Sequence, residues 1–179
     1  MVSPEISVGR TVLNFDVGAA SFPVLDDTTP TVEDFDSAKK SMQPGDVVIS
    51  RLRHYLRQIA VVRTDSAKTA VGSSEFIVLR GCDETLPPEA LVLFLRTPVV
   101  QTILEYSQDG SQHPRFGDDA LLDTPIPAQL LTIAPSLVAA VRSAHAARRE
   151  AQELLARAQR AVEIAIEQDE KIALAYLNS

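Results

Sequence analysis

A long apolar repeat near the C-terminus constrains the fold of this chain more than any other feature. Across residues 133–177 an apolar or small side chain recurs at alternating steps of four and three residues, and only Gln168 interrupts the series. A period of 3.5 residues sustained this far is typical of a coiled coil. One helix of this length exceeds the width of a small domain at about 1.5 Å per residue. The repeat therefore predicts a partner helix packed along it.

Most positions of this repeat are alanine, which lets two helix backbones approach closely. The sequence predicts a dimerisation face, and its residues are Leu137, Ala140, Ala144, Ala147, Ala151, Leu154, Ala158, Ala161 and Ala165. Charged side chains of both signs occupy much of the remaining surface, which is typical of a solvated face. The alternative is a long helix packed along its own domain.

The rest of the chain predicts an α+β domain in residues 1–127, followed by a single long helix in residues 128–179. Runs of β-branched residues between turn signals predict strands, at residues 9–15, 22–25, 46–50, 58–62 and 74–79. Helical spacing predicts short helices at residues 90–96, 99–106 and 118–122. Residues 33–43 are polar and acidic, and they predict a loop or a short irregular helix. We expect a small mixed or antiparallel sheet.

Cysteine usage and the N-terminal residues predict a cytoplasmic protein. The one cysteine, Cys82, excludes an intramolecular disulfide and is consistent with a reducing compartment. The first residues lack the basic and apolar regions of a signal peptide, and no apolar run is long enough to cross a bilayer. Histidine and cysteine are too scattered to predict a metal site, and we expect no cofactor.

Charge is distributed unevenly along the chain. The net charge of −7 argues against nucleic-acid binding, yet residues 46–80 carry six basic side chains against three acidic ones. Residues 51–57 place three arginines, a histidine and a tyrosine between two predicted strands. The arginine fork binds phosphate or the guanine edge, and tyrosine can stack on a base. The sequence supports equally a surface loop whose arginines pair with the carboxylates of residues 26–36.

Several segments, taken in order, resemble the target-recognition domain of type I restriction-modification (R-M) specificity subunits. The segments are residues 44–51, 59–62 and 71–80, then Leu86-Pro87, Thr97-Pro98, Gly110-Ser111, Pro114-Arg115 and Pro125-Ile126-Pro127. Together they cover residues 40–177. Two departures stand out: Pro127 is followed by Ala128-Gln129 where the family has an acidic residue and Gln, and residues 1–40 match only loosely.

The resemblance implies a DNA-reading domain with a helical spacer. In this family each domain reads part of a split site in double-stranded DNA, and a full-length subunit has two domains joined by two antiparallel helices. Such a subunit is not catalytic; it assembles with an adenine DNA methyltransferase subunit and with a restriction subunit. This chain has one domain and one helix, so the resemblance implies a half-length form that acts as a homodimer.

We predict DNA contacts in two loops and at two flanking basic residues. The predicted residues are Arg51, Arg53, His54, Tyr55, Arg57, Arg63, Lys68, Ser111, Gln112, His113 and Arg115. Gln112 carries an amide that can pair with the adenine edge. Arg115 has an alternative role in folding, in which it bridges to Glu75 or Asp118.

The sequence contains no motif for catalysis. We find no methyltransferase motif, no glycine-rich cofactor loop and no nuclease pattern, and we therefore expect a protein that is not an enzyme. A second functional interpretation is an interaction or assembly protein that keeps this fold without binding DNA, and the net charge of −7 favours it.

Overall fold

A computed structural model describes residues 12–26, 31–32, 37–64, 69–81, 85–110 and 114–178. The chain divides into two compact units, Met1–Val138 and Ala139–Ser179. The strands of the described residues are β1 Val12–Phe15, β2 Val24–Asp26, β3 Thr31–Val32, β4 Lys40–Met42, β5 Val47–Ser50, β6 Ile59–Arg63, β7 Thr69–Gly72, β8 Phe76–Leu79, β9 Gln108–Asp109 and β10 Arg115–Phe116. The helices are α1 Pro88–Leu95, α2 Pro98–Tyr106, α3 Asp118–Leu122, α4 Ala128–Glu167 and α5 Glu170–Leu177.

The strands of the first unit form two four-stranded sheets and a two-stranded ribbon among the described residues. The first sheet has the order β3-β1-β7-β4 and the second has the order β2-β6-β5-β8. Each sheet is mixed, because β1 runs parallel to β7 and β2 runs parallel to β6, whereas the other pairs are antiparallel. The ribbon pairs β9 with β10. The predicted α+β class is confirmed.

The second sheet is buried on both faces. Alternate residues of a strand point to opposite faces, so Val47 and Ile49 of β5 pack with helical residues such as Val92 and Leu104. Val48 of β5 lies on the other face, in a cluster with apolar residues of the first sheet. The unit thus has three layers, formed by the first sheet, the second sheet and the short helices.

Prolines begin the first two helices. Pro88 and Pro98 occupy first-turn positions, where the missing N–H costs nothing. Gln101 of α2 stabilises the junction between α1 and α2, because its buried side-chain amide donates a hydrogen bond to the Leu95 carbonyl at 2.7 Å. The predicted helices at 90–96, 99–106 and 118–122 are confirmed within a residue or two.

Three strands of the first sheet, β3, β4 and β7, were not predicted from the sequence, and β4 corrects a prediction. Residues 33–43 were expected to be loop or irregular helix, but Lys40–Met42 is strand β4 and pairs with β7. Met42 is buried, and its Cε lies 1.9 Å from the place where a Cβ on Gly72 would be. A side chain at position 72 would therefore displace the end of the Met42 side chain.

The C-terminal repeat does not form one continuous helix. Helix α4 ends at Glu167, and Asp169 begins α5 by accepting a hydrogen bond from the Lys171 N–H at 2.6 Å. The predicted long C-terminal helix is confirmed over Ala128–Glu167, but it ends before residue 177, and the turn falls at Gln168, where the repeat is interrupted. Asp169 is a strong N-cap residue, which explains why a new helix begins there.

The second unit folds back on itself through α5. The Arg157 guanidinium donates from Nη2 to the carbonyls of Tyr176 and Leu177, at 3.1 and 2.8 Å. These carbonyls lie at the end of α5, where they have no partner within the helix. Ala161, Ile164 and Ala173 are buried, so the hairpin has a small apolar core.

Helix α4 meets the length and hydropathy criteria for a membrane span. Its best 18-residue window has a mean hydropathy of 1.3 with 17% of the window buried, and it is the one such helix in the part of the chain that the structure describes. The sequence analysis expected no apolar run long enough to cross a bilayer, and this window differs from that expectation. Core helices of water-soluble proteins meet the same criteria, so this helix alone does not identify a membrane protein.

The contact from Arg157 to α5 can be tested by hydrogen exchange. Arg157→Met keeps the length of the side chain but removes both hydrogen bonds to the end of α5. We expect backbone amides of α5 to exchange about fivefold faster, which is what the loss of about 1 kcal/mol of net hydrogen bonding gives. Arg160→Met is the matched control, because Arg160 pairs with Glu163 on the surface of α4. Equal exchange in both variants would contradict a role for Arg157 in holding α5.

Candidate nucleic-acid interface

The connection between β5 and β6 is a single strained turn. A 3₁₀ turn at His54–Leu56 is flanked by Arg53 and Arg57, whose φ angles are 50° and 49°. These arginines are the non-glycine residues with positive φ in the described part of the chain. A left-handed conformation costs about 1–2 kcal/mol for a residue with a Cβ, so other contacts must hold this turn.

Three contacts from other elements hold the turn. Arg96, which follows α1, donates from Nη1 to the Arg57 carbonyl at 2.5 Å. Gln108 of β9 lies 2.6 Å from His54, between the amide Nε2 and the ring Nδ1. At the start of the connection, the Arg51 N–H donates to the Glu75 carbonyl at 3.0 Å. The strained backbone is thus fixed from the helical layer, the ribbon and the second sheet.

Arg96 is itself held in a partly buried position. Its guanidinium lies 4.5 Å above the Phe22 ring centre, a cation–π geometry. Burial, and secondarily the charge of Arg57, lowers the pKa of Arg96 below its ordinary value. The positively charged guanidinium of Arg96 therefore lies in contact with the backbone of the turn.

The side chains of the turn point to solvent. Tyr55 is 64% exposed and Leu56 is 48% exposed, and both flanking arginines are exposed. The guanidinium groups of Arg53 and Arg57 have no hydrogen-bond or ion-pair partner among the described residues. The His54 ring meets the Tyr55 ring edge-on, with centres 5.9 Å apart. The turn therefore presents two free cations, an aromatic ring and an aliphatic side chain.

Arg51 and Arg115 are instead paired within the fold. Arg51 Nη2 lies 2.7 Å from a carboxylate oxygen of Asp118. Arg115 donates from Nε and Nη2 to the two carboxylate oxygens of Glu75, at 3.0 and 2.8 Å. This hydrogen-bonded pair with Arg115 lowers the pKa of Glu75 against the opposing effect of burial. The folding role considered for Arg115 is therefore present, through Glu75.

Arg63 is also paired. Its guanidinium contacts the carboxylate of Glu89, which is only 2% exposed. A buried carboxylate needs a charged partner, so Arg63 has a structural task in joining β6 to α1. A phosphate contact by Arg63 stays a prediction.

The first predicted DNA loop contacts the described residues that flank the second. Leu52 of the first loop forms a β-bridge with Arg115 at the base of the second loop. The His54–Gln108 contact joins the same two segments. The predicted contacts Lys68, Ser111, Gln112 and His113 lie outside the described residues, and they stay predictions.

Three neighbouring residues were not identified from the sequence. Arg96 and Gln108 position the turn, and Tyr106 at the end of α2 is 87% exposed. The one available signal was Tyr106, an aromatic residue at the end of a predicted helix and next to a polar loop. Nothing in the sequence marks Arg96 or Gln108, because their partners lie far away along the chain.

The exposed side chains of the turn are of types that bind ligands. Among the described residues, no three His, Cys, Asp or Glu side chains come together as a metal site. Exposed arginines bind phosphates and base edges, and an exposed aromatic ring binds the faces of bases. The arrangement therefore suits a polyanion with flat, stackable groups.

Comparisons with known proteins give one informative likeness. No protein-family model matches the chain, and no curated protein matches it significantly. A chain from a solved structure of the type I R-M system, studied for complex assembly and conformational transition, is 25% identical with a TM-score of 0.63. The match covers 90% of this chain and 42% of that chain. The likeness relates this chain to the type I R-M system, and this chain spans less than half of its relative.

The Arg115–Glu75 pair predicts a pH-dependent contribution to stability. Because the pKa of Glu75 is lowered from its ordinary value of 4.5, the pair stabilises the fold above that value, and this contribution is lost as pH falls through the lowered pKa. We expect Arg115→Met to reduce the free energy of unfolding slightly at neutral pH, since the pair is partly exposed and screened by solvent.

Urea denaturation of Arg115→Met and the unchanged chain at about pH 7 and about pH 3 measures this difference. The two proteins should differ at the higher pH and converge at the lower pH. Glu75→Gln is the control, because it should lose the same contribution without its pH dependence. A difference that persists unchanged into acid would show that Arg115 stabilises the fold by packing.

Proposed function

We propose that this chain is a sequence-specific DNA-recognition module, the specificity component of a type I R-M or DNA methyltransferase complex. The observation that carries the proposal is the turn with Arg53 and Arg57, two exposed arginines that have no ion-pair partner among the described residues and are held in a strained backbone. Strained backbone is retained where function requires a fixed side-chain direction. The likeness to a chain of the type I R-M system supports the same conclusion.

Pairing of arginines explains how an acidic chain can bind DNA. The net charge is −7, but the acidic groups that face arginines are engaged in the fold. Asp118, Glu75 and Glu89 each neutralise one arginine. No described carboxylate pairs with Arg53 or Arg57, so the turn keeps two positive charges at its surface. Arg53 and Arg57 contact phosphates or guanine edges, and Tyr55 contacts a base.

We further propose that two copies of the chain associate through α4. Most of the predicted dimerisation face is exposed in the single chain, including Ala147, Ala151 and Leu154, the last being 58% exposed. Leu155 and Val162 lie beside this face and are 61% and 59% exposed. An apolar stripe of this extent on a helix favours a helical partner. A dimer would supply the second recognition domain that a split DNA site requires.

The proposed module is cytoplasmic, has no catalytic activity of its own and needs no cofactor. It assembles with an adenine DNA methyltransferase subunit, and with a restriction subunit where one is present. Phosphate contacts normally dominate affinity for DNA, and only two free arginines mark this surface. The methyltransferase would therefore supply part of the affinity by closing around the duplex.

A second candidate function is an interaction or assembly protein that keeps this fold without binding DNA. The net charge of −7 favours it. Under this alternative, the exposed turn would contact an acidic protein surface. Selection from a random duplex pool, with and without a partner methyltransferase, separates the two functions.

The DNA-binding proposal predicts the effect of removing the free arginines. In the double variant Arg53→Ala with Arg57→Ala, we expect affinity for the enriched duplex to fall about 10- to 100-fold, as two charge-assisted contacts are lost. If both arginines contact phosphates, the slope of log K against log salt should fall by about two. Fluorescence anisotropy at several salt concentrations measures both quantities.

The matched control removes the same charge from α4, as Arg148→Ala with Arg149→Ala. This control should retain more of the affinity than the turn variant. Equal losses in the two variants would mean that net charge, not the turn, governs binding. A chain that enriches no duplex under either condition would leave the assembly protein as the function.

The dimer proposal predicts that charge on the exposed face of α4 blocks association. In the variant Ala147→Glu with Ala151→Glu, two carboxylates would be buried against the partner, at a cost of several kcal/mol. Light scattering after size exclusion should show a monomer. Gln152→Glu, on another face of the same helix, is the control and should remain a dimer. Dimers in both variants would place the contact elsewhere.

A further inference from the structure

The turn between β5 and β6 exposes an aliphatic side chain that edge recognition of bases does not need. Leu56 is 48% exposed and sits between Tyr55 and Arg57. Leucine has no hydrogen-bonding group, so it cannot read a donor or an acceptor in a groove. Its exposure also has an unfavourable hydration free energy. A leucine held outward in this position therefore suits contact with an apolar surface of the ligand.

The backbone on either side of Leu56 is held firmly. The Leu56 N–H donates to the Arg53 carbonyl at 2.8 Å, and the Arg57 N–H donates to the His54 carbonyl at 2.8 Å. The Arg57 carbonyl accepts from both the Ile59 N–H, at 2.9 Å, and Arg96. Because these bonds oppose movement in both directions along the chain, the turn can transmit force to a ligand without collapsing.

We propose that residues 53–57 unstack a base step of bound duplex DNA. Leu56 enters the step, the Tyr55 ring stacks on the exposed base face, and Arg53 and Arg57 hold the phosphates on either side. This inference rests on the DNA-binding function proposed above. Apolar side chains that enter a base step partially unstack it and kink the duplex. Pyrimidine–purine steps deform most easily, so the enriched duplex should carry such a step at the contact.

The charge pattern of the turn fits this mode of binding. The two arginines flank the apolar pair in the sequence, one on each side of the 3₁₀ turn. An inserted side chain separates adjacent bases, and flanking cations then stabilise the displaced backbone. Residues 53–57 contain no acidic residue, so the turn itself places no negative charge against the phosphates.

The inference is tested with the full chain and the duplex that it enriches from a random pool. A 2-aminopurine placed at each step of the site reports unstacking by its fluorescence, and energy transfer between dyes on the duplex ends reports bending. With the unchanged chain we expect fluorescence to rise at one step and the ends to approach. Leu56→Ala should reduce both signals and weaken binding about tenfold, the effect of losing one stacking contact.

Two variants serve as controls. Leu131→Ala removes the same side chain from α4, where Leu131 is exposed to a similar extent, 45%, and it should leave both signals unchanged. Tyr55→Phe keeps the ring and should keep the unstacking signal, whereas Tyr55→Ala should lower it. Circular dichroism of each variant confirms that the fold is retained.

The outcomes separate the two proposals. Tight binding without unstacking or bending overturns the wedge and leaves the DNA-binding function intact. Weaker binding by Leu56→Ala with unchanged bending would assign Leu56 to contact with a thymine methyl group, and it also overturns the wedge. Loss of methyltransferase binding by Leu56→Ala, with DNA signals unchanged, would make the turn a protein contact. A chain that enriches no duplex fails both proposals together.

Discussion

Burial of both faces of the β5–β6 pair is the constraint on which the candidate interface depends. Val48, Ala60 and Val61 are fully buried, with the first sheet on one side and helices on the other. Because neither face has room for a long polar side chain, the connection between these strands must direct its side chains outward. The contacts from Arg96 and Gln108 then stabilise one conformation of that connection. Arg53 and Arg57 are left-handed in this conformation, which their local backbone preference disfavours.

The arginines of the first unit divide into two groups with different tasks. Arg63 and Arg80 pair with carboxylates that are each 2% exposed, where an uncompensated charge would strongly destabilise the fold. Arg51 and Arg115 join the second sheet and the ribbon to neighbouring elements through partly exposed pairs. Among the described residues, Arg53 and Arg57 of the turn have no carboxylate partner. The net charge of the chain therefore does not describe the charge of this turn.

The sequence predicted the elements that its local pattern determines. Strands β5, β6 and β8 have continuous β-branched or aromatic runs, and α1 and α2 begin at prolines, so their local preferences agree with the fold. Strand β4 was missed because Lys40 and Ser41 are polar and become strand only by pairing with β7. The roles of Arg51 and Arg115 could not be settled either, since their partners lie 67 and 40 residues away along the chain. For the candidate interface, the sequence located the turn but could not show which arginines remain free.

The fold of the second unit changes what the alanine repeat can do. If the repeat formed one regular helix through residue 177, every position of it would be equally exposed to a partner. In the folded chain, however, Ala161 is only 4% exposed. The hairpin with α5 thus covers part of the repeat, near its end. Leu155 and Val162 remain more than half exposed, and at 3.6 residues per turn they lie to one side of Ala161 on the helix. Leu154 is also more than half exposed, and it lies nearly in line with Ala161, one heptad before it. A second copy that associates through α4 would therefore contact a face rotated away from α5. In such a dimer, α5 would lie beside the contact and could stay packed on α4 of its own chain.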